Sequence, residues 1–290
     1  MDFKDWYQAG TIAKQAREFG CTLIKEGASY LEVAEKIEAK IVELGGKCAF
    51  PVDLSVNHVA AHDSPVFQDE RVFVKGDLVR LDLGAHIHGA VADTACTVEV
   101  GTSQYVHLIK ASEDALSAAI SLAKPGTPVR ALGKIIAETI TKAGAVPIVN
   151  LSGHGIDRYQ VHTAPTIPNY DNGDETLLKK GQVIANEPFA TDGAGKIFEG
   201  KGSQIYSLVQ SHNVRDPRTR EILMFIVEEY KTLPFAARWL IKKFGLRAKL
   251  ALKQLQDQRI VQEYGILPEK EKGMVGQFEH TLIVGDKVIT

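Results

Sequence analysis

The chain has 290 residues, with 34 Lys and Arg against 36 Asp and Glu, so its net charge is −2. That near balance excludes a protein whose whole surface is built for nucleic acid or an acidic membrane. With 44% hydrophobic and 24% charged residues the chain reads as globular, long enough for one large domain or a domain carrying an insert. The opening MDFKDWYQAG holds two acids and no apolar run, unlike a secretory signal. No stretch reaches the roughly 18 uninterrupted apolar residues of a membrane helix. Cys21, Cys48 and Cys96 are odd in number and widely spaced, so they read as reduced core thiols of a cytoplasmic protein, not as a disulfide framework or a CxxC site.

In chain order, residues 3–25 carry Ile12, Ala13, Ala16, Phe19 and Leu23 at helical spacing. Ser29 and Glu32 form a capping-box pattern, Ala34, Ile37 and Ile41 share the next helix face, and Gly45-Gly46 stops it. Residues 77–100 read as two strands with a turn near 86–89. Helices are predicted near 107–123 and 128–143, with Thr127 as N-cap, Pro128 at the first helical position and Gly144 as the stop. A strand over 147–151 precedes SGHG. A Gly-rich region from Gly193 to Gly202, a helix over 217–230 and more helix to about 258 follow, and QFEHTLIV (277–284) closes the pattern as a strand.

The halves repeat. Lys25, Gly27, Ile37, Ile41 and Gly45 recur as Lys124, Gly126, Ile136, Ile140 and Gly144, a constant offset of 99. Val52-Asp53-Leu54-Ser55 recurs as Val149-Asn150-Leu151-Ser152 at 97, and KGDLVRLD (75–82) as KGQVIANE (180–187) at 105. The ordered series implies a duplication, two α+β halves about a pseudo-two-fold axis, with a site between them that draws equivalent residues from both.

Carboxylates mark that site. With Ala85 opposite Ala90, Asp82 lies directly across from Asp93 in an apolar hairpin, and two buried facing acids need a proton or a cation between them. The repeat maps Asp82 onto Glu187, and Glu279 in the closing strand takes the place of Asp93. His154 of SGHG completes a set of four carboxylates and one imidazole. That set suits two divalent ions, Co, Mn, Fe(II) or Zn, sharing a bridging water whose lowered pKa makes it a nucleophile.

These motifs resemble the methionine aminopeptidases, specifically the type II, archaeal-like branch, over essentially the whole chain. The carrying segments are AFPVDLSVNHVAAH, LDLGAHIHGAVADTA, VNLSGHGIDRYQVH, ANEPFAT, TLPFAARWL and QFEHTLIV. The resemblance implies the pita-bread α/β fold around a dinuclear metal site, with residues 1–190 and 274–290 as the catalytic body and 191–273 as a mainly helical insert. It implies Asp82, Asp93, His154, Glu187 and Glu279 as metal ligands. It further implies that His62 contacts the substrate and assists proton transfer at the scissile amide, that His162 stabilises the oxyanion, and that Phe50, Pro51 and Val161 line the methionine pocket. Glu187 would relay the proton. The implied activity is removal of the initiator methionine from nascent polypeptide N-termini with a small second residue; beginning Met1-Asp2, this chain would keep its own.

Three positions depart from the family pattern: Asn186 beside a ligand, Thr163-Ala164 after His162, and Lys231 where a Gly is common. The first two are expected at the pocket wall. His86 and His88 are read as turn residues, His107 as a helix opener and His280 as a packing residue, with His58 unassigned and His212 a candidate for the pocket border. The stretch Lys231–Lys253 has seven basic residues and no acid. It reads either as a solvated helix face or as a ribosome or rRNA contact. Two rivals share the fold: a non-catalytic RNA- and protein-binding relative, and an X-Pro peptidase. A monomer with no membrane contact is expected.

Overall fold

A computed structural model describes residues 2–290; Met1, whose retention the sequence predicts, lies outside them. The first half runs α1 (Lys4–Leu23), α2 (Tyr30–Glu43), β1 (Lys47–Cys48), β2 (Asp53–Val56), β3 (Val59–Ala61), β4 (Leu78–Ile87) and β5 (Ala90–Glu99). The second repeats this as α3 (Val106–Leu122), α4 (Val129–Lys142), β6 (Val146–Pro147), β7 (Ser152–Asp157), β8 (Gln160–Pro168), β9 (Val183–Asn186) and β10 (Phe189–Thr191). Then come β11 (Gly202–Leu208), α5 (Pro217–Glu229), β12 (Phe235–Ala236), α6 (Ala237–Phe244), α7 (Arg247–Asp257), β13 (Val261–Gly265) and β14 (Leu267–Pro268). Two strands, β15 (Val275–Gln277) and β16 (Glu279–Ile283), return the chain to the body.

One eight-stranded sheet organises the molecule, in the order β1-β4-β5-β16-β9-β7-β8 with β2 also on β4. Its centre is the antiparallel pair β5–β16, flanked on one side by β4 and on the other by β9. The register carries the duplication. Cys48 faces Ala85, and their counterparts at offsets 99 and 105, Pro147 and Ala190, also face each other. Gly45 and Gly144 end their helices at φ +88 and +80, a region that costs a Cβ-bearing residue and not glycine. The Val-Asn-Leu-Ser match at 97 is two residues out of structural register. Arg80 faces Ser55, while its counterpart Ala185 faces His154, so the offset there is again 99 and Ser55 stands where His154 does.

Alternation along β4 sorts the chemistry. Val79, Leu81, Leu83 and Ala85 are buried on the helix side, where α1 lies so close that a Cβ on Gly20 would stand 2.6 Å from Leu81. Each such leucine contributes about 1.5–3 kcal/mol of burial. Arg80, Asp82 and Gly84 point the other way. Arg80 is fully buried and donates to the carbonyls of Val59, Ala60, Leu78 and Val275, tying β3 and β15 to β4. Burial pushes its pKa down to about 9.

Ser29 caps α2 as expected, accepting from the Glu32 N–H at 3.4 Å. The α4 terminus differs. Pro128 is itself the cap, and Thr127 turns its hydroxyl back to the Leu122 carbonyl at 2.8 Å, so it is not free for the helix. The 191–273 stretch folds around its own apolar cluster, including Ile222, Ile226, Phe235, Leu240 and Leu252. It mixes helices α5–α7 with a three-stranded sheet, β12-β11-β13. Arg238, 1% exposed, fastens it to the body by pairing with Glu38 of α2 and donating to the Pro65 carbonyl at 2.9 Å.

Asn186 is fully buried, and neither amide atom has a hydrogen-bond partner. It stands opposite His280 and alternates away from the cavity, which corrects the expectation that it touches the pocket wall. An unsatisfied buried amide costs about 1–3 kcal/mol. Asn186→Val is therefore expected to raise stability by about 1–2 kcal/mol, read as a higher denaturant midpoint at unchanged slope. An unchanged or lower midpoint would show that the amide is satisfied in solution.

Candidate metal centre

The inner face of the sheet carries three adjacent rows of side chains. In the first, Asp53 faces Asp82, Asp82 faces Ala95, and Ala95 faces Glu279. The β9–β16 register, extended one step past Asn186–His280, brings Glu187 opposite Glu279. In the second row Gly84 faces Asp93, Thr281 faces Ala185, and Ala185 faces His154; the Asp93 N–H donates to Thr281 Oγ1 at 2.8 Å. The third row contains Arg80 opposite Thr97, and the Thr97 hydroxyl donates to the Gln277 carbonyl at 2.7 Å.

The hairpin register corrects the sequence expectation. The turn is His88-Gly89 alone, with φ +49 and +86, and Ile87 pairs with Ala90. Asp82 therefore faces Ala95, and Asp93 is its diagonal neighbour. The slip is two residues, one full side-chain period, so both acids stay on the same face. The shorter turn also moves His86 into the strand, where it is buried, while His88 remains an exposed turn residue.

Asp82, Asp93, His154, Glu187 and Glu279 all line one cavity of about 270 Å³. Ligand atoms of Asp93, His154 and Glu279 lie within 4.8 Å of one another. His154 Nε2 is 3.4 Å from Glu187 Oε1 and 3.9 Å from Asp93 Oδ2. The carbonyl of Gly155, 3.1 Å from His154 Nδ1, can only accept, so the proton is on Nδ1 and Nε2 presents its lone pair. Burial pushes this imidazole down to about 3, and His162 adds to the push, so it is neutral.

Burial acts in the opposite sense on the acids. It raises Asp93 to about 7. It holds Asp82 and Glu279 well above the carboxylate range, with Asp93 and Glu187 repelling both, and Glu187 likewise, with Asp93 repelling it. Oδ1 of Asp82, Oδ1 of Asp93 and Oε1 of Glu279 are buried with no hydrogen-bond partner. The Gln277 amide is shared among Asp82, Glu187 and Glu279 at 3.4–3.5 Å. Orphaned carboxylate oxygens around a neutral imidazole are the donor set of a divalent cation, and the residues fit one.

His62 and His162 line the same cavity. The His162 ring packs edge-on against His154 at 4.4 Å, and desolvation together with nearby His62 lowers its pKa. Phe50, Pro51 and Val161 are in the wall; a Cβ on Gly84 would meet the Phe50 ring at 2.4 Å, so glycine there lets the ring lie on the sheet. The cavity does not include Thr163, Ala164 or His212: the first two continue β8 past His162, and His212 is exposed in the loop before α5. Lys231 adopts φ +55, a glycine-like conformation, with its ammonium 3.7 Å from the Tyr159 ring centre. His280 faces the helices, where Arg17 and Thr290 hydrogen-bond it.

Sequence reasoning missed four kinds of residue at the site. Asp53 lines the cavity beside Asp82, and the same signal that marked Asp82, an acid inside an apolar strand, was present in VDLSV. Gln277 precedes Glu279 by one side-chain period, which places it on the same face. Ile205, Pro234, Tyr264 and Leu267 come from the 191–273 stretch, and Phe189 and Leu151 from the second half; no local pattern distinguishes these.

The metallopeptidase family M24 model matches residues 6–214. A methionine aminopeptidase of Pyrococcus horikoshii is 48% identical, covering 100% of this chain and 99% of its own. Among solved structures, a thermophilic Arx1 superposes with TM-score 0.84 at 16% identity, covering 96% of this chain and 87% of that one. A methionine aminopeptidase of Thermotoga maritima gives 0.73 at 22%, covering 99% and 96%. At such identities the two structures speak for the fold alone, which is the pita-bread fold. The near-complete match to the archaeal enzyme speaks for more: this chain belongs to the M24 metallopeptidases, on their methionine aminopeptidase branch.

Proposed function

We propose that the cavity removes the initiator methionine from polypeptides with a small second residue, in a metal-dependent hydrolysis. The observation that carries this reading is the set of four buried or half-buried carboxyl groups and one neutral imidazole on two adjacent rows of the sheet. Intact donors disfavour the non-catalytic relative, and the full-length similarity to a methionine aminopeptidase disfavours the X-Pro peptidase.

Asp82, Asp93, His154, Glu187 and Glu279 would hold two divalent ions, of Co, Mn, Fe(II) or Zn. When bound, the metal supplies Lewis acidity and a water that ionises near neutral pH. A free α-amine, with reference pKa about 7.7–8, is readily neutral and can bind there, which restricts cleavage to the first peptide bond. Glu187 takes the proton from the attacking water and hands it towards the leaving amine. His162, neutral with one N–H, donates to the scissile carbonyl as charge develops on it. His62 contacts the scissile amide and assists proton transfer. Phe50, Pro51 and Val161 receive the methionine side chain.

We treat 1–190 with 274–290 as the catalytic body and 191–273 as an insert subdomain that closes the pocket through Ile205, Pro234, Tyr264 and Leu267. The partners are nascent N-termini, met in the cytoplasm by a monomer; among the described residues no helix is long and apolar enough to cross a membrane. For a ribosome or rRNA contact through Lys231–Lys253, Arg238 is spent on Glu38, Lys242 on Glu35 and Arg247 on Glu221, and Lys231 lies over the Tyr159 ring, which leaves exposed Lys243, Lys249 and Lys253 as its core.

The direct test is release of free methionine from a Met-Ala-Ser peptide by metal-free protein titrated with Mn, Co, Fe(II) or Zn. Release should saturate at about one to two equivalents and fall at least ~10³-fold in Glu187→Ala. Folded protein that releases nothing with any metal would refute the reading.

A second outcome follows from the raised carboxyl groups. Between an unfolded pKa of roughly 3.9 and the folded value of about 7 for Asp93, the native state binds a proton that the unfolded state does not. The stabilisation that saturating metal gives over metal-free protein should therefore grow as pH rises from about 4 to 7.5. Thermal unfolding with and without chelator across this range is the check; parallel curves would contradict it.

A further inference from the structure

Asp53 is the fifth acid in the cavity, and it differs from Asp82, Asp93 and Glu279. It is 5% exposed in β2, directly opposite Asp82. Asp82, Asp93 and Glu279 each keep an orphaned oxygen, whereas both oxygens of Asp53 are engaged. Oδ1 accepts the Ser55 hydroxyl at 2.6 Å and the Asp63 N–H at 3.1 Å, and Oδ2 accepts the His62 N–H in a short bond.

The residue it grips is unusual. His62 has φ +66, in the left-handed region that side-chain-bearing residues rarely adopt. The bond from its backbone N–H to Asp53 holds it there at the end of β3. The ring is fixed by separate partners. Its Nδ1 lies 3.2 Å from the Gly265 carbonyl of β13, and its plane meets the Tyr264 ring edge-on at 5.5 Å. A carbonyl only accepts, so Nδ1 carries a proton, and in the neutral ring Nε2 is left with a lone pair. The backbone grip comes from the body and the ring grip from the 191–273 stretch. A His62 backbone released into an ordinary conformation would carry the ring away from Gly265.

We propose that Asp53 is a positioning residue for the reaction: it clamps the His62 backbone so that the Gly265 carbonyl can hold the ring as the Nδ1–H tautomer, which makes Nε2 a hydrogen-bond acceptor towards the substrate. This rests on the methionine-removing reading only for its kinetic part. His62 then enters the reaction as an acceptor for an amide or amine N–H, and the proton it handles arrives at Nε2.

The test has a structural and a kinetic arm. In metal-free protein labelled with ¹⁵N-histidine, the His62 imidazole should show the Nδ1–H tautomer in the wild type and in Asp53→Asn, whose oxygen still accepts. In Asp53→Ala it should show averaged tautomers. With Met-Ala-Ser, Asp53→Ala should lower kcat about 10- to 100-fold with KM within about threefold and bound metal unchanged. His62→Ala should cost about as much, the double variant no more than His62→Ala alone, and Asp53→Asn should stay within about threefold of the wild type. Asp53→Ser, too short to reach the His62 amide, replaces the alanine variant if that one does not fold, with the same outcomes expected. The proposal is overturned by a wild-type tautomer in Asp53→Ala, by losses that multiply in the double variant, or by metal loss that accounts for the activity. Wild-type protein that releases no methionine would refute the functional reading, and the tautomer measurement would still decide on Asp53.

Discussion

Four carboxyl groups gathered on one buried face of one sheet repel one another and lose their hydration as the chain folds, and most of the molecule can be understood as a response to that. Without a cation, burial and mutual repulsion favour their protonated forms, and Asp82, Asp93, Glu187 and Glu279 are all raised from the ordinary carboxylate range. The Gln277 amide is an uncharged donor shared among three of them. Arg80, one side-chain period from Asp82 on the same face, does not neutralise them; it spends its donors on four backbone carbonyls. That choice keeps the acids unpaired and available, and turns the buried guanidinium into a fastener for the strands that carry them. Pairing it with Asp82 instead would trade a metal centre for a buried salt bridge.

How much of this was legible in the sequence depended on which physical rule was asked. Helix limits followed from apolar spacing and stop glycines, and the observed ends of α1 to α4 fall within two residues of expectation. The carboxylate cluster survived an incorrect register, because side-chain direction in a strand has period two and the error in the hairpin was two residues. A slip of one would have sent Asp82 to the helices. The error came from turn length: His88-Gly89 closes the hairpin with two residues, and a histidine at φ +49 is not a usual marker for such a turn. The Val-Asn-Leu-Ser match shows the opposite weakness, since residue identity alone placed it two positions from the equivalence that backbone pairing defines.

Tertiary partners were not legible. From spacing, Arg238 and Lys242 share a helix face and look like half of a basic patch. In the fold both are drawn to α2, Arg238 to Glu38 and Lys242 to Glu35, about 200 residues away in the chain. Charge runs report composition, and only the packing tells which charges remain free. The same ion pair sets the 191–273 stretch against the body, and so fixes the distance at which Tyr264 and Gly265 meet His62.

Duplication explains the doubling of the acids, and its failures explain the chemistry. A perfect two-fold would give two equivalent half-sites, with nothing to tell the attacking side from the leaving side. The register instead places Ser55 where the second half has His154, so only one imidazole joins the acids. The hydroxyl of Ser55 does not turn to the acid cluster; it donates to Asp53, which grips His62. One half therefore places an imidazole among the acids at this position, and the other places a hydroxyl that supports the acid gripping His62. That divergence at a single equivalent pair, Ser55 and His154, is what converts a symmetric cage of carboxylates into a site with a direction.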